Sequence, residues 1–240
     1  MHYLIQFKEF ILDILFPPIC LNCESHLIKA EKNNGICNLC LSKIIIHTAL
    51  FCGVCRARLP ENKKTCHKNS QYLLGAVTNF DETVRKLIHQ LKYQKWQKIL
   101  NPLKIILENY LNNLKLNPEK LKNYIVIPIP LHKNRMQERG FNQAELIGKI
   151  ISEKYNLPLA KEILIRNKET KSQAELKNWD DRKNNLAGAF KIENADFLKN
   201  KNIILVDDVY TSGATIKEAA KILKENSAKK IIALVIAKAG

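Results

Sequence analysis

No run of this sequence is apolar for long enough to cross a bilayer. Its first sixteen residues do not have the form of a secretory leader either. Residues 1–16 carry Lys8, Glu9 and Asp13 inside an apolar pattern and lack a small-residue cleavage site. These two absences set the expectation of a cytoplasmic protein without stable membrane insertion. The segment reads instead as an amphipathic helix, with Leu4, Ile5, Ile11, Leu12, Leu15 and Phe16 on its apolar side and Pro17-Pro18 as its stop. Docking on the protein's own core is the expectation for that face.

Acidic residues are scarce. Against 39 Lys and Arg stand 23 Asp and Glu, a formal net charge of +16 in 240 residues. Such an imbalance fits polyanionic partners: nucleic acid, pyrophosphate-bearing ligands or an acidic membrane surface. The charge is mostly lysine and is spread along the chain, so a solvated basic surface is an equal reading of it.

Cysteine is absent after position 66. All seven fall earlier, as Cys20-x-x-Cys23, Cys37-x-x-Cys40, Cys52-x-x-Cys55 and a lone Cys66. An odd count without a leader disfavours a disulfide framework. Paired C-x-x-C knuckles across a short hairpin are instead the spacing of a zinc ribbon, because each knuckle brings two thiolates to one side of a tetrahedral ion at ~2.3 Å. Cys20, Cys23, Cys37 and Cys40 complete one structural zinc site. Cys52, Cys55 and Cys66 leave a second site one ligand short. His67 or His47 could supply it, but the adjacent Cys66 and His67 are poorly placed to aim at one ion, and Asn69 stands where a final knuckle would have its cysteine. The expectation is a weaker or absent second zinc. Interleaved pairing of the knuckles stays open on spacing alone. Residues 1–70 read as a helix and ribbon that bury too little to fold without metal, and 71–240 as a separate domain.

The rest of the chain is arranged around residues 203–215. Ile203-Ile204-Leu205-Val206 is a short, β-branched apolar run, the pattern of a strand covered on both faces of a parallel sheet. Asp207 and Asp208 are expected at its end. Tyr210, Thr211, Ser212, Gly213, Ala214 and Thr215 then lead into an amphipathic helix at 216–225. Backbone N–H groups and the helix dipole favour an anion at such a start, and Gly213 permits close approach. The plainer reading is a strand, a turn and a capped helix. An acid pair directly before a phosphate cradle suits a sugar phosphate better, because carboxylates accept hydrogen bonds from vicinal hydroxyls.

Further strands are expected at 71–80, 124–127, 163–166, 189–192 and 230–237, and helices at 81–93, with Asp81 as N-cap, at 99–116 and at 144–154. Pro128-Ile129-Pro130 opens a basic loop carrying His132, Lys133, Arg135 and Arg139. Its arginines, gathered at a strand end and not on a helix face, suit a pyrophosphate, and two strands of an open parallel sheet discharge at the same edge. The polar stretch 168–185, with Gln173 and Arg182, reads as a mobile flap. The strand and helix alternation from 124 onward predicts a doubly wound, mostly parallel α/β sheet beside the small ribbon domain.

The segment Val206-Asp207-Asp208-Val209-Tyr210-Thr211-Ser212-Gly213-Ala214-Thr215 resembles the phosphoribosyl pyrophosphate (PRPP) motif of type I phosphoribosyltransferases. With Pro128-Ile129-Pro130-Leu131-His132, Arg135, Arg139-Gly140-Phe141-Asn142-Gln143, the Arg166, Gln173, Leu176, Arg182, Asn185, Gly188-Ala189-Phe190 series and Leu91-Lys92-Tyr93, it makes nearly the whole chain similar to the ComF (GntX-like) family. That family sets a double zinc ribbon on a phosphoribosyltransferase-type domain, and the missing eighth cysteine is the one departure. The resemblance implies that Asp207 and Asp208 meet the ribose hydroxyls, that the 210–215 loop holds the 5′-phosphate, and that Arg135, Arg139 and His132 take the pyrophosphate. It also implies Mg²⁺ bound with PRPP mainly through ligand oxygens and waters, and a flap in which Gln173 and Arg182 exclude water. Transfer from PRPP needs positioning and charge more than covalent help. The absence of an N-terminal glutaminase cysteine leaves ammonia channelling unimplied. The family's link to natural competence implies single-stranded DNA and a translocase or helicase as partners. Three readings follow: a competence protein with a PRPP-type site, a metabolic phosphoribosyltransferase, and a zinc-ribbon adaptor with a vestigial site.

Overall fold

Seven short strands carry the architecture of the computed structural model, which describes residues 13, 15–60, 66–93, 96–116, 118–168 and 188–239. They are β1 (Phe51–Cys52), β2 (Leu73–Asn79), β3 (Tyr124–Pro128), β4 (Leu164–Arg166), β5 (Phe190–Ile192), β6 (Asn202–Tyr210) and β7 (Lys230–Lys238). Five of them form one sheet in the order β1-β2-β7-β6-β3. Its neighbours run parallel except β1, which is antiparallel to β2 at the edge. β4 and β5 pair with each other as a separate antiparallel ribbon, Leu164 opposite Ile192 and Arg166 opposite Phe190.

The central strands are apolar without alternation because helices cover both their faces. Seven helices are described: α1 (Asn38–Ser42), α2 (Glu82–Tyr93), α3 (Trp96–Asn113), α4 (Pro118–Leu121), α5 (Lys133–Arg139), α6 (Gln143–Tyr155) and α7 (Ala214–Glu225). α6 lies on β3 and β6, and α7 joins β6 to its parallel neighbour β7. Ile216, Ala219, Ala220 and Leu223 of α7 share a core with Ile125, Ile203, Leu205, Ala233 and Val235. Each large aliphatic side chain so buried contributes roughly 1.5–3 kcal/mol. This core holds the β6–α7 junction rigid.

Two compact units divide the chain. One is Met1–Ile45 with Asp81–Ile105, and the other is Ile46–Phe80 with Ile106–Gly240. The units part at 45/46, 80/81 and 105/106, whereas the sequence reading places a single boundary at 70; the cluster of Cys52, Cys55, Cys66 and His67 falls in the unit of the sheet, through β1. In the first unit, α2 begins as expected, with Val84 N–H donating to Asp81 Oδ1 at 2.9 Å. Lys86 Nζ and Gln90 Nε2 of α2 donate to the Asn22 and Leu21 carbonyls at 3.2 and 3.4 Å, tying the helix to the first knuckle. Glu31 is buried there, and its carboxylate accepts the Asn38 and Ile28 N–H groups at 2.7 and 3.3 Å. No helix among the described residues is long and apolar enough to cross a membrane. The amphipathic segment 1–16, apart from Asp13, Leu15 and Phe16, and the expected flap with Gln173 and Arg182 lie outside the described residues.

Candidate functional site

β6 does not stop at the acid pair. Its pairing with β3 ends at Val206 opposite Pro128, where Ile129 N–H donates to the Val206 carbonyl at 2.8 Å. Its pairing with β7 runs on, Asp207 opposite Val235 and Tyr210 opposite Lys238. The expectation of a strand ending at Asp207 is corrected, because the nine-residue β7 keeps the β6 backbone extended through Tyr210. Asp207 and Asp208 thus sit, half-buried, where β6 has one hydrogen-bonded neighbour in place of two. Asp208 N–H donates to Asp207 Oδ1 at 2.9 Å, which fixes the first carboxylate.

The loop that follows makes the start of α7. Gly213 takes φ +79°, in the left-handed region, and is the helix N-cap. Ala214 N–H donates to Ser212 Oγ at 3.3 Å, and Lys217 N–H to the Gly213 carbonyl at 2.8 Å. Thr211, Ser212, Ala214 and Thr215 are half-buried around this turn. The arrangement has the donors and dipole that suit an anion. Tyr210 departs from its expected role in the phosphate loop. It is buried, its hydroxyl lies 3.2 Å from that of Tyr72, and its ring lies 5.3 Å beneath the Arg56 guanidinium. Burial, reinforced by the neighbouring Tyr210, pushes the Tyr72 phenol up, so that phenol is neutral at ordinary pH.

The basic segment after β3 is a helix and not the expected loop. His132 caps α5, its Nδ1 accepting the Asn134 N–H at 3.4 Å, and Gly140 closes it at φ +73°. Lys133 to Arg139 holds mostly good helix formers but buries none of them, so no apolar stripe marks it in the sequence. The reading of arginines off a helix face falls with that correction. Arg135 and Arg139 are nonetheless four residues apart and share one face. Arg139 Nη1 donates to the Oε1 of buried Gln143 at 3.3 Å. Asn142 caps α6, and its amide nitrogen donates to the Ile129 carbonyl at 2.9 Å, joining that helix to the exit of β3. Arg166, at the end of β4, has its pKa lowered by burial and next by the charge of Arg135, while Asp207 opposes the shift. Arg135, Arg166 and Asp207 therefore share one electrostatic neighbourhood. The sequence reading gives Arg166 no role at the site, and an arginine closing a three-residue strand carries no periodic signal that would assign one.

Two clusters of metal-ligand type are present among the described residues. Cys20, Cys23, Cys37 and Cys40 form one, and Cys52, Cys55, Cys66 and His67 the other, with all ligand atoms of each cluster within 4.8 Å of one another. Tetrahedral thiolates at ~2.3 Å from a zinc lie roughly 3.8 Å apart, and Cys23 and Cys37 Sγ are 3.8 Å apart. In the second cluster Cys52 Sγ is 3.5 Å from His67 Nδ1, Cys55 Sγ 3.3 Å from Cys66 Sγ, and Cys66 Sγ 3.2 Å from His67 Nδ1. The expectation that Cys66 and His67 are poorly placed to aim at one ion is corrected: Nδ1 is the ring nitrogen nearer the backbone, and a turn at 66–69 lets both residues face one point. His47 is elsewhere, its Nε2 3.2 Å from Asn79 Oδ1, with its pKa lowered by burial and then by Lys238. Pairing is sequential and not interleaved. Backbone and amide N–H groups aim at the sulfurs, Cys37 N–H to Cys20 Sγ at 3.4 Å, Asn22 Nδ2 to Cys40 Sγ at 3.3 Å and Val54 N–H to Cys52 Sγ at 3.5 Å. Such outer contacts orient ligands and stabilise thiolates. Four-cysteine and three-cysteine, one-histidine sets both fit structural zinc.

A model of the phosphoribosyl transferase domain matches residues 144–240, and one of the double zinc ribbon domain matches residues 11–70. Competence protein F of Haemophilus influenzae is 28% identical over 218 residues, 88% of this chain and 93% of that protein. Competence protein ComFC of Bacillus subtilis is 29% identical over 212 residues, 86% and 78% of the two chains. The DNA utilization protein YhgH of Escherichia coli (strain K12) is 29% identical over 226 residues, 88% and 93%. The chain thus carries a phosphoribosyl transferase domain and a double zinc ribbon domain, and over most of its length it is similar to the ComF-type competence proteins. The transferase domain and a structural zinc role for the cysteines follow from the two matched domains and from the two clusters.

The double ribbon divides between the compact units, its first cluster in one and its second in the other. The loop of the transferase domain is also closely fitted. A Cβ at Gly213 would collide with the hydroxyl end of the Tyr210 phenol. Gly213→Val is therefore expected to lower stability by about 2–5 kcal/mol, from the left-handed backbone and the overpacking together. Thermal unfolding checks it, and an unchanged midpoint would show that the loop does not hold this conformation.

Proposed function

We propose that this chain binds PRPP with Mg²⁺ at the β6–α7 junction and handles single-stranded DNA in natural transformation. The observation that carries the ligand reading is the acid pair placed where β3 leaves β6, directly before a left-handed glycine and a helix N-terminus. Asp207 and Asp208 would accept from the ribose hydroxyls and stabilise positive charge on the sugar. Thr211 to Thr215 would hold the 5′-phosphate, and Arg135, Arg139 and His132 the pyrophosphate. A bound Mg²⁺ would neutralise the diphosphate, held mainly by its oxygens and by water. Gln173 and Arg182 would close over the ligand. Calorimetry with PRPP and Mg²⁺ tests this, and no heat at millimolar PRPP would refute it.

The phosphoribosyl transferase match favours one second reading, a group-transfer enzyme for an acceptor of unknown kind. Pyrophosphate release from PRPP across a panel of acceptors would reveal turnover. The DNA reading is supported by the names of the competence relatives and by the net charge of +16. Retention on single-stranded DNA should fall with salt along a log–log slope of several units, since each neutralised phosphate contributes ~0.7. Phe141, half-buried beside the basic helix, is one aromatic placed to stack on a base, so charge should outweigh stacking. Absence of retention at low salt would remove the nucleic-acid role.

A further inference from the structure

A side chain of the second metal cluster's segment, Arg56, reaches the phosphate loop. Arg56 follows the ligand Cys55 and sits at φ +61°, in the left-handed region. Its N–H donates to the Cys52 carbonyl at 2.9 Å, and Cys52 N–H donates to the Ala57 carbonyl at 2.9 Å, so the knuckle turn fixes the root of the side chain. From there the guanidinium lies 5.3 Å over the Tyr210 ring, and Nη2 donates to the Ser212 carbonyl at 3.3 Å. The same knuckle abuts the tyrosine pair from the other side, since a Cβ at Gly53 would collide with the Tyr72 carbonyl oxygen. Tyr72 meets Tyr210 at 3.2 Å, and the Tyr210 ring fills the space beside Gly213. A continuous set of contacts thus runs from the metal ligands to Ser212 and Gly213.

Between knuckle and loop is a cavity of about 320 Å³, bordered by Arg56, Lys217, Asn69, Gln71, Ser212 and Gly213 among others, and no carboxylate among the described residues lines it. Two cations without an acid partner in that wall add positive potential beside the loop, in the sense that favours an anion. Arginine is suited to the double contact, because its planar fork can stack on a ring and donate in its own plane. A lysine ammonium makes one of these contacts at a time.

We infer that Arg56 is a positioning residue for the phosphate loop, and that the second metal centre, acting through Arg56, holds the loop in its anion-receiving form. The inference concerns ligand binding insofar as the PRPP reading holds, but its mechanical part is independent of any ligand. Hydrogen exchange of the 211–215 amides in the ligand-free, zinc-loaded protein is the primary measurement. Arg56→Ala should accelerate it about tenfold or more, the equivalent of one hydrogen bond to a charged group, with the zinc content retained. Arg58→Ala, which removes a neighbouring exposed charge bonded to Thr48 Oγ1, should leave it unchanged. Cys66→Ser should reduce zinc by about one ion per chain and accelerate the same amides. PRPP affinity of Arg56→Ala should fall about tenfold. Wild-type exchange in Arg56→Ala with zinc retained would overturn the inference. Should Arg56→Ala lose metal or fail to fold, Arg56→Lys decides, with accelerated exchange expected and a wild-type rate overturning it. A wild type that does not bind PRPP would refute the ligand reading, while the exchange measurement still decides the coupling.

Discussion

Replacing Asp207 and Asp208 together by asparagine should weaken PRPP binding a hundredfold or more without unfolding the protein. Hydrogen bonds to charged groups are worth ~1.5–3 kcal/mol each, and losing two at the lower figure corresponds to roughly 150-fold in affinity. The fold should persist because the local contact survives the change. An amide side chain at position 207 keeps an oxygen for the Asp208 N–H that Asp207 Oδ1 now accepts, and the β6 backbone is paired with β7 at Asp207 and again at Val209 and Tyr210. One electrostatic consequence travels with the substitution. Asp207 opposes the lowering of the Arg166 pKa by burial and by Arg135, so its neutralisation leaves the like charges of Arg135 and Arg166 with less compensation. Thermal unfolding of the double variant must therefore accompany calorimetry. A folded double variant that binds PRPP as tightly as wild type would refute the site.

The second large effect concerns the metal. Purified protein should hold about two zinc ions per chain, one in each four-ligand cluster. Cys20→Ser should empty the first cluster and unfold the Met1–Ile45 segment around it. Apparent zinc-binding free energies of structural sites run to ~10–16 kcal/mol, and a short ribbon has little apolar burial to set against their loss. The sheet should survive, because its core of Ile203, Leu205, Ala233 and Val235 belongs to the other compact unit. The second cluster should keep its ion for the same reason, as Cys52 lies in β1 and is held by pairing with Leu73. Elemental analysis with circular dichroism of wild type and variant reads both outcomes. Zinc-free protein with all seven thiols titratable would refute the metal assignment.

Local chemistry was legible along the chain wherever neighbours in sequence are also neighbours in space. The apolar run 203–206 announced a doubly covered strand, Thr211-Ser212-Gly213 before an amphipathic stretch announced a turn into a helix start, and the two knuckles at 20–23 and 37–40 announced a closed zinc site. Each depends on spacing within a few residues, and each is found where the spacing put it. Three features were not legible, for one physical reason. The length of β6 beyond Val206 depends on β7, a strand twenty residues later, which holds the acid pair extended after β3 has departed. The eighth metal ligand depends on a turn that swings His67 back onto Cys52, fifteen residues away, a convergence that adjacency to Cys66 argued against. Arg56 reaches Ser212 across 156 positions, and no pattern in either segment records that contact. Spacing encodes the torsions of a local segment, but which side chains meet across distant segments is decided only when the shared core closes and fixes their relative positions.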